Sequence, residues 1–509
     1  MPIEKYYLFN PVYRLKVDQK RVLLYYKEGD PPIKEGISDF MGFIHPVFAM
    51  LLSLFDGEKN IEGVIAEFVY ITGINKSFIT SLVNQLIKNE KVLKIDFNGH
   101  TFYFPQNTLL PVSAIAKEDR IKYNASDFLI PGGQLDFTST RLYDPLDAML
   151  IINNVCVTRC IYCYEDKRSP FHCTIPFPRL VEIIREAKSI GMRALNLSGG
   201  EIFTYPHWEK LLRELTANGF RPHISTKYPL NSRRIGQLQD AGIKRIQLSM
   251  DTVDQGEMVK LLQVHENYHG LILNTLKTLD KKGFEISING QITALNQDSM
   301  ESYFNYLLQF ENVRYIRVRA TGYSRFPNGN PPAGNFYSSI RPEQEKLDKI
   351  KDLVFKLSEK HGGRVKLEFF KHPEQNEYVG CSLAEKSWRF NQRAQCSGNF
   401  SSFQILPDGK VTICEELYYH PKFIIGDLTT ESIREIWNSK KALSLYHFSR
   451  EEVREESACK RCGDFDRCHQ DKGLCWKLAI YAYGENNWDY PDPRCHRAPE
   501  PVEQFWIPS

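Results

Sequence analysis

Three cysteines stand within eight residues in the stretch CVTRCIYCYEDK, at Cys156, Cys160 and Cys163, directly after an apolar run. Thiolates are ligands for soft metals. A structural zinc closes its shell with four protein ligands, so a trio either borrows a distant fourth or leaves a position open. Three thiolates also suit three irons of a four-iron cluster, whose remaining iron then stays free for a small ligand. An open coordination position suggests chemistry. About one strand–helix unit later, LNLSGGE runs from Leu195 to Glu201. Paired glycines admit a close backbone approach at the end of a strand. Further along, CSGNFSSFQILPDGKVTIC carries Cys396 and Cys414, and CKRCGDFDRCHQDKGLC carries Cys459, Cys462, Cys468 and Cys475, with Cys381 before them and Cys495 after.

Eleven of the twelve cysteines fall in these two groups, and Cys173, in SPFHCT, has no partner at metal spacing. The composition, 42% hydrophobic and 25% charged, is that of an ordinary globular protein. A net charge of +3 over 509 residues calls for neither nucleic acid nor a membrane surface. No apolar run reaches the ~18 residues of a spanning helix, and MPIEKYYLFN lacks a signal-peptide pattern. A cytoplasmic protein is expected. In that compartment thiols stay reduced, so Cys-x2-Cys spacings read as metal or iron–sulfur ligands rather than disulfides.

The elements that must position these residues follow from periodicity. Between residues 145 and 321, strands are expected near Ala148–Asn153, Ala194–Leu197, His223–Thr226, Ile246–Met250, Glu285–Asn289 and Tyr315–Val318. Helical segments separate them, so the fold class is α/β: a partial parallel (β/α)6 barrel with its active end at the strand C-termini. The first cysteine trio lies just past the first of these strands. Residues 322–380 bridge to a cysteine-rich region, 381–509, with a helix expected from Glu343 to Lys360.

The first 104 residues read as a separate domain. Val12–Val17 and Arg21–Tyr26 form a hairpin pattern, three helical segments follow between Pro46 and Glu90, and Asn98-Gly99 marks a second hairpin. Such an order is a winged helix-turn-helix, joined to the barrel through a looser stretch, 105–144. A DNA-binding role is disfavoured, because Met41 to His100 contains five Lys or Arg against six Asp or Glu.

The motif CVTRCIYC followed by GGE resembles the radical S-adenosylmethionine superfamily, whose signature is Cys-x3-Cys-x-aromatic-Cys. By that resemblance Cys156, Cys160 and Cys163 hold a [4Fe-4S] cluster, and S-adenosylmethionine chelates the open iron. Gly199, Gly200 and Glu201 would hold the amino group of the cofactor. Tyr162, Thr226 and Ser249 would contribute to its pocket, with Ser225, Lys227, Asp251 and Gly290 as weaker candidates. The later cysteines resemble the SPASM extension of such enzymes. This implies two auxiliary [4Fe-4S] clusters, one on Cys459, Cys462, Cys468 and Cys495, the other on Cys396, Cys414 and Cys475 with Cys381 as fourth ligand. Six residues separate Cys468 from Cys475 here, where the usual gap is three.

The front domain resembles the recognition element of ribosomally made, post-translationally modified peptides, which captures a leader as an added strand. Together these resemblances imply a peptide maturase that forms a thioether or carbon–carbon crosslink. Its partners would be a precursor peptide with its leader and an electron donor such as flavodoxin or ferredoxin, with no nucleic acid and no membrane. An anaerobic sulfatase maturase would share the barrel and the SPASM extension but leave residues 1–104 unexplained. A zinc-stabilised DNA-binding regulator is the reading from another class, and iron and sulfide content separates it.

Overall fold

The computed structural model describes residues 5–27, 40–165, 170–322, 336–370, 382–393, 395–471 and 473–501. The fold is mixed α/β, and the chain divides into two compact units, Met1–Asp144 and Pro145–Ser509.

In the first unit, strands β1 (Tyr6–Phe9), β2 (Tyr13–Val17), β3 (Val22–Tyr26) and β4 (Met41–Ile44) precede helix α1 (Pro46–Ser53) and strand β5 (Asp56–Asn60). Helices α2 (Ile61–Thr72) and α3 (Lys76–Ile87) lead to β6 (Leu93–Phe97), β7 (His100–Phe104) and β8 (Leu109–Pro111). The order β2-β3-β4 makes one antiparallel sheet, β5-β1-β8 a second, and β6-β7 a hairpin. Asn98 and Gly99 turn that hairpin with φ of 50° and 78°, the left-handed pair that a two-residue turn of this type requires. Both expected hairpins are present. Asn60 and Asn75 cap α2 and α3 by accepting from Gly63 N at 2.8 Å and Ser77 N at 2.9 Å. The apolar faces of the three helices close over Phe48, Phe68, Leu82, Leu86, Phe102 and Phe104, all buried.

Residues 105–144 fall inside this unit. Phe128 is buried in its core, and β8 pairs with β1. The β2–β3 turn also holds the end of the stretch: Asp18 Oδ1 accepts from Tyr143 N at 2.9 Å and from Asp144 N at 3.1 Å. Arg21, fully buried, pairs with Asp18 at 3.0 Å and donates to Arg141 O at 2.7 Å.

The described residues of the second unit contain ten strands: β9 (Asp147–Ile151), β10 (Ala194–Ser198), β11 (Ser225–Thr226), β12 (Arg245–Ser249), β13 (Glu285–Ile292), β14 (Val313–Ala320), β15 (Lys366–Phe370), β16 (Ser402–Ile405), β17 (Lys410–Thr412) and β18 (Ile424–Asp427). They order as β10-β9-β16-β17-β18 and β11-β12-β13-β14-β15. Every pairing from β11 to β15 is parallel, as are those of β9 with β10 and with β16. The six strands expected between 145 and 321 are all present. Two others were not expected as sheet partners: β15, beyond the helix Gln344–His361, and β16, which extends the sheet on the far side of β9.

Register explains which face carries function. Ser249 lies opposite Asn289, Asn289 opposite Arg317, and Arg317 opposite Glu368, while Gln291 lies opposite Arg319. Residues paired in a parallel ladder share a face, so these side chains line one polar surface. Asn289 Nδ2 donates to Gln247 Oε1 at 2.7 Å, and Arg317 pairs with Glu368 at 3.0 Å. The intervening Ile286, Ile288, Ile292, Ile316 and Val318 are buried on the opposite surface with the helices.

Candidate functional site

The first cysteine loop leaves the C-terminal end of β9 and is pinned by its backbone. Arg159 N donates to Leu262 O at 2.8 Å and Ile161 N to Leu261 O at 3.0 Å, at the end of the helix Gln255–Leu262. Thr158 sits between two of the thiols, with its hydroxyl 3.4 Å from Cys156 Sγ and 3.3 Å from Cys160 Sγ. Cys163 N donates to Cys160 O at 3.1 Å. Cys160 is buried and the other two are half-buried. Burial raises the Cys160 thiol, against the lowering effect of Lys227. A metal that compensates the thiolate charge suits it.

The loop after β10 presses against the loop after β9. A Cβ on Gly199 would stand 2.2 Å from Asn153 O, and one on Gly200 2.3 Å from Val155 O, with Gly199 at φ 126°. Only glycine permits this approach. Asn153, which no motif singles out, staples the two loops. Its Oδ1 accepts from Val155 N at 3.1 Å and Glu201 N at 3.3 Å, and its Nδ2 donates to Glu201 O at 3.2 Å. The asparagine pair shortly before the first cysteine is the signal that could have found it.

Glu201 is buried, with both carboxylate oxygens 2.9 Å from Thr226 Oγ1 and with Lys227 N donating at 3.1 Å. Burial pushes its carboxyl up to about 7, against the lowering effect of the Thr226 hydroxyl. The structure thus brings together Gly199, Gly200, Glu201 and Thr226. Ser249 lies on the polar face of the neighbouring strand, its Oγ 3.2 Å from Ser225 Oγ and 3.1 Å from Gln247 Nε2. At Gly290 a Cβ would come within 2.7 Å of Met250 O, so that glycine serves strand packing.

Asp251 ties the cysteine loop to the strand ends. Its Oδ2 accepts from the Tyr162 hydroxyl and from Lys227 Nζ, the latter at 2.8 Å, and its Oδ1 from Gln291 N at 2.8 Å. Both oxygens are therefore engaged by the protein, and Asp251 orients Tyr162. Burial works hardest against the Lys227 ammonium, but the Asp251 carboxylate together with the nearby Cys160 and Cys156 sulfurs outweighs it and holds the amine above its usual value. Sequence spacing points to Tyr162, Lys227 and Asp251 separately. Their coupling spans 89 residues and has no local signal.

The second cysteine set forms two gatherings. Cys459, Cys462, Cys468 and Cys495 line one small cavity with Phe390, Phe465, His469 and Asp492. Cys475 lies within electrostatic reach of Cys396, and Cys414 within reach of Cys475. Cys381 lies outside the described residues. Among the described residues no three Cys, His, Asp or Glu side chains converge at the spacing of a single ion. Burial raises Cys459 to about 12, Cys475 to about 12 and Cys468 to about 11. Four soft donors around one cavity fit a four-iron cluster. Cys173 Sγ lies 3.9 Å from Ile175 O, apart from both sets. No helix among the described residues is long and apolar enough to cross a membrane.

Comparison with known proteins agrees with this layout. Residues 150–305 match the radical SAM superfamily, and residues 396–463 match SPASM, an iron–sulfur cluster-binding domain. The chain carries both domains. It is 23% identical over 321 residues to the PqqA peptide cyclase of Ruegeria pomeroyi, an alignment covering 62% of this chain and 77% of that one. The cyclase of the same name from Bradyrhizobium diazoefficiens is 24% identical over 371 residues, covering 70% and 87%. Streptococcus suis SuiB bound to S-adenosylmethionine superposes with a TM-score of 0.61 at 14% identity, over 96% of this chain and 99% of SuiB. That last likeness is one of fold.

Proposed function

We propose that this chain, with its radical SAM and SPASM domains, is a peptide maturase that installs an oxidative crosslink, thioether or carbon–carbon, in a ribosomally made precursor peptide. One observation carries the reading most: a single folded unit holds both the three-cysteine loop at the strand C-termini and the seven described cysteines of the second set. A crosslink that removes two hydrogens needs an electron sink, and half-buried thiols around a cavity suit redox-active iron. The curated relatives named as peptide cyclases point the same way, as does SuiB, whose structure is also known bound to its precursor peptide SuiA.

In this reading residues 145–321 form the partial (β/α)6 barrel, with 322–380 bridging to the SPASM domain at 381–509. Cys156, Cys160 and Cys163 hold the radical cluster. Cys459, Cys462, Cys468 and Cys495 hold one auxiliary cluster, and Cys396, Cys414, Cys475 and Cys381 the other, which is roughly 12 irons per chain. When bound, the first cluster and S-adenosylmethionine would supply hydrogen-atom abstraction by a 5′-deoxyadenosyl radical, at the cost of one electron from an external donor. The chain's own residues set the geometry. Gly199, Gly200 and Glu201 would receive the ammonium of the cofactor, whose positive charge favours the ionised Glu201 carboxylate, the carboxyl proton leaving to solvent. Tyr162, locked by Asp251, fixes one wall of the pocket, and Ser249 presents a hydroxyl to the ribose. The polar face of β12, β13 and β14 is the surface offered to the peptide.

Residues 1–104 act as a winged helix-turn-helix that binds the leader, and 105–144, expected as a loose connection, instead pack into the same unit. The described edges of the β2-β3-β4 sheet are β2 and β4. Leu15 N of β2 already donates to the Tyr123 hydroxyl at 3.1 Å, and β7 packs beside β4, so an added strand displaces a contact at either edge. The protein works in the reducing cytoplasm with a flavodoxin or ferredoxin as electron donor. Anaerobic incubation of reconstituted protein with S-adenosylmethionine, a strong reductant and a precursor peptide tests all this. The expected result is 5′-deoxyadenosine and a peptide lighter by two hydrogens. A reduced, iron-replete protein that forms no 5′-deoxyadenosine overturns the assignment.

A further inference from the structure

The long gap between Cys468 and Cys475 is bridged by one arginine. Arg393 is nine-tenths buried, and its Nη2 donates to Cys468 O at 3.1 Å and Gly473 O at 3.0 Å, with Nε reaching Gly473 O at 3.3 Å. The same Nη2 stands 3.3 Å from Cys468 Sγ. Nη1 donates to Phe390 O at 3.0 Å, and the guanidinium lies 3.9 Å from the centre of the Phe390 ring, a lining residue of the four-cysteine cavity. A single rigid fork therefore ties a cysteine of one gathering to the backbone two residues before Cys475, a cysteine of the other. Six residues separate the two cysteines, and such a segment needs an internal tie if both thiols are to keep fixed directions.

The charge environment makes the contact more than a clamp. Asp492, the acid lining the cavity, is buried and already paired with Arg494, at 2.8 Å and 2.6 Å. Arg393 spends its donors on carbonyls and on the Cys468 sulfur, and no carboxylate among the described residues pairs with it. Hydrogen bonds and positive charge at a ligand sulfur favour the reduced, more negative state of a cluster.

We propose that Arg393 is a positioning residue for the auxiliary cluster: it holds the Cys468–Cys475 segment in place and, through the Cys468 sulfur, raises the reduction potential of the cluster on Cys459, Cys462, Cys468 and Cys495. This rests on the cluster assignment proposed above. Lysine at this position keeps the charge but loses the fork, and glutamine loses both.

The test uses full-length protein in which Cys156, Cys160 and Cys163 are alanine, so that only auxiliary signals remain. Iron and sulfide are counted, and the clusters are titrated by electron paramagnetic resonance in the parent, R393K and R393Q. The parent contains two auxiliary clusters. In R393Q the reduction equilibrium of one cluster falls about tenfold, or about 59 mV for a one-electron couple; R393K lies between. If R393Q loses iron, R393K decides: a retained cluster with a lowered potential supports the assignment. Full iron content with an unmoved potential in either variant overturns it and leaves the peptide-maturase reading intact. A parent without iron and sulfide overturns both.

Discussion

Asp251 gathers Tyr162, Lys227 and the backbone of Gln291 onto one carboxylate whose side chain is 1% exposed. Removing its charge leaves the Lys227 ammonium buried without a counter-ion, and breaking such a pair costs about 3 kcal/mol or more. D251N is therefore expected to lower the denaturation midpoint and to free the Tyr162 ring. Adding K227M restores much of the stability but not the ring position, so S-adenosylmethionine binding stays weak in the double variant. Denaturant titration and cofactor binding read the two effects apart. Glu201 gives a pH signature. Burial moves its carboxyl from 4.5 up to about 7. Between those values the folded state keeps a proton that the unfolded chain has lost, so stability falls as pH rises through the window. E201Q removes that slope, worth at most about 3 kcal/mol, and melting curves of both proteins across the window check it. The cysteines and the glycine pair were legible because their chemistry needs particular residue types close together in sequence. Asn153, Thr158 and Arg393 were not, because each acts through contacts that only folding creates.

Local elements were legible and distant pairings were not. Asn98-Gly99 specifies its own hairpin, and the capped helices α2 and α3 announce themselves by spacing. Strand β5, DGEKN, has no hydrophobic alternation and exists because it pairs with β1. Strands β15 and β16 read as ordinary short apolar runs, and nothing in either says that its partner lies 51 residues back, for Tyr315 and Lys366, or 255 back, for Asp147 and Ser402. The contact between the loops after β9 and β10 is another long-range feature, and it has no slack. G200A places a methyl group 2.3 Å from Val155 O, where backbone rather than a flexible side chain must yield. The expected outcome is displacement of the whole 153–156 segment, loss of iron at the first site and loss of 5′-deoxyadenosine formation. The auxiliary iron remains, and iron counting against the parent protein separates the two sites.

At the scale of the whole chain, the buried side chains form two separate cores, one drawn from residues 7–128 and the other from residues 148–483. The second core runs without a break through both family-matched stretches. Phe403 and Ile405 of β16 lie in it beside Ala148 and Leu150 of β9, and the two strands pair in register. A cut after residue 380 therefore removes a sheet neighbour of the strand that carries the first cysteine loop. It exposes the edge of β9, an invitation to aggregate, and that fragment is expected to be insoluble or to fail to hold iron. A cut between Asp144 and Pro145 falls between the two units. Residues 145–509 expressed alone are expected to be reconstituted with iron to the level of the whole protein and to cleave S-adenosylmethionine reductively. On the leader-binding role proposed for the first unit, they are expected to lose modification of a leader-bearing peptide. Supplying residues 1–144 as a separate fragment restores part of it if that fragment grips the leader, and peptide mass spectrometry reads the recovery. If residues 145–509 alone modify the peptide as fast as the intact chain, residues 1–144 do not serve as the leader-binding module.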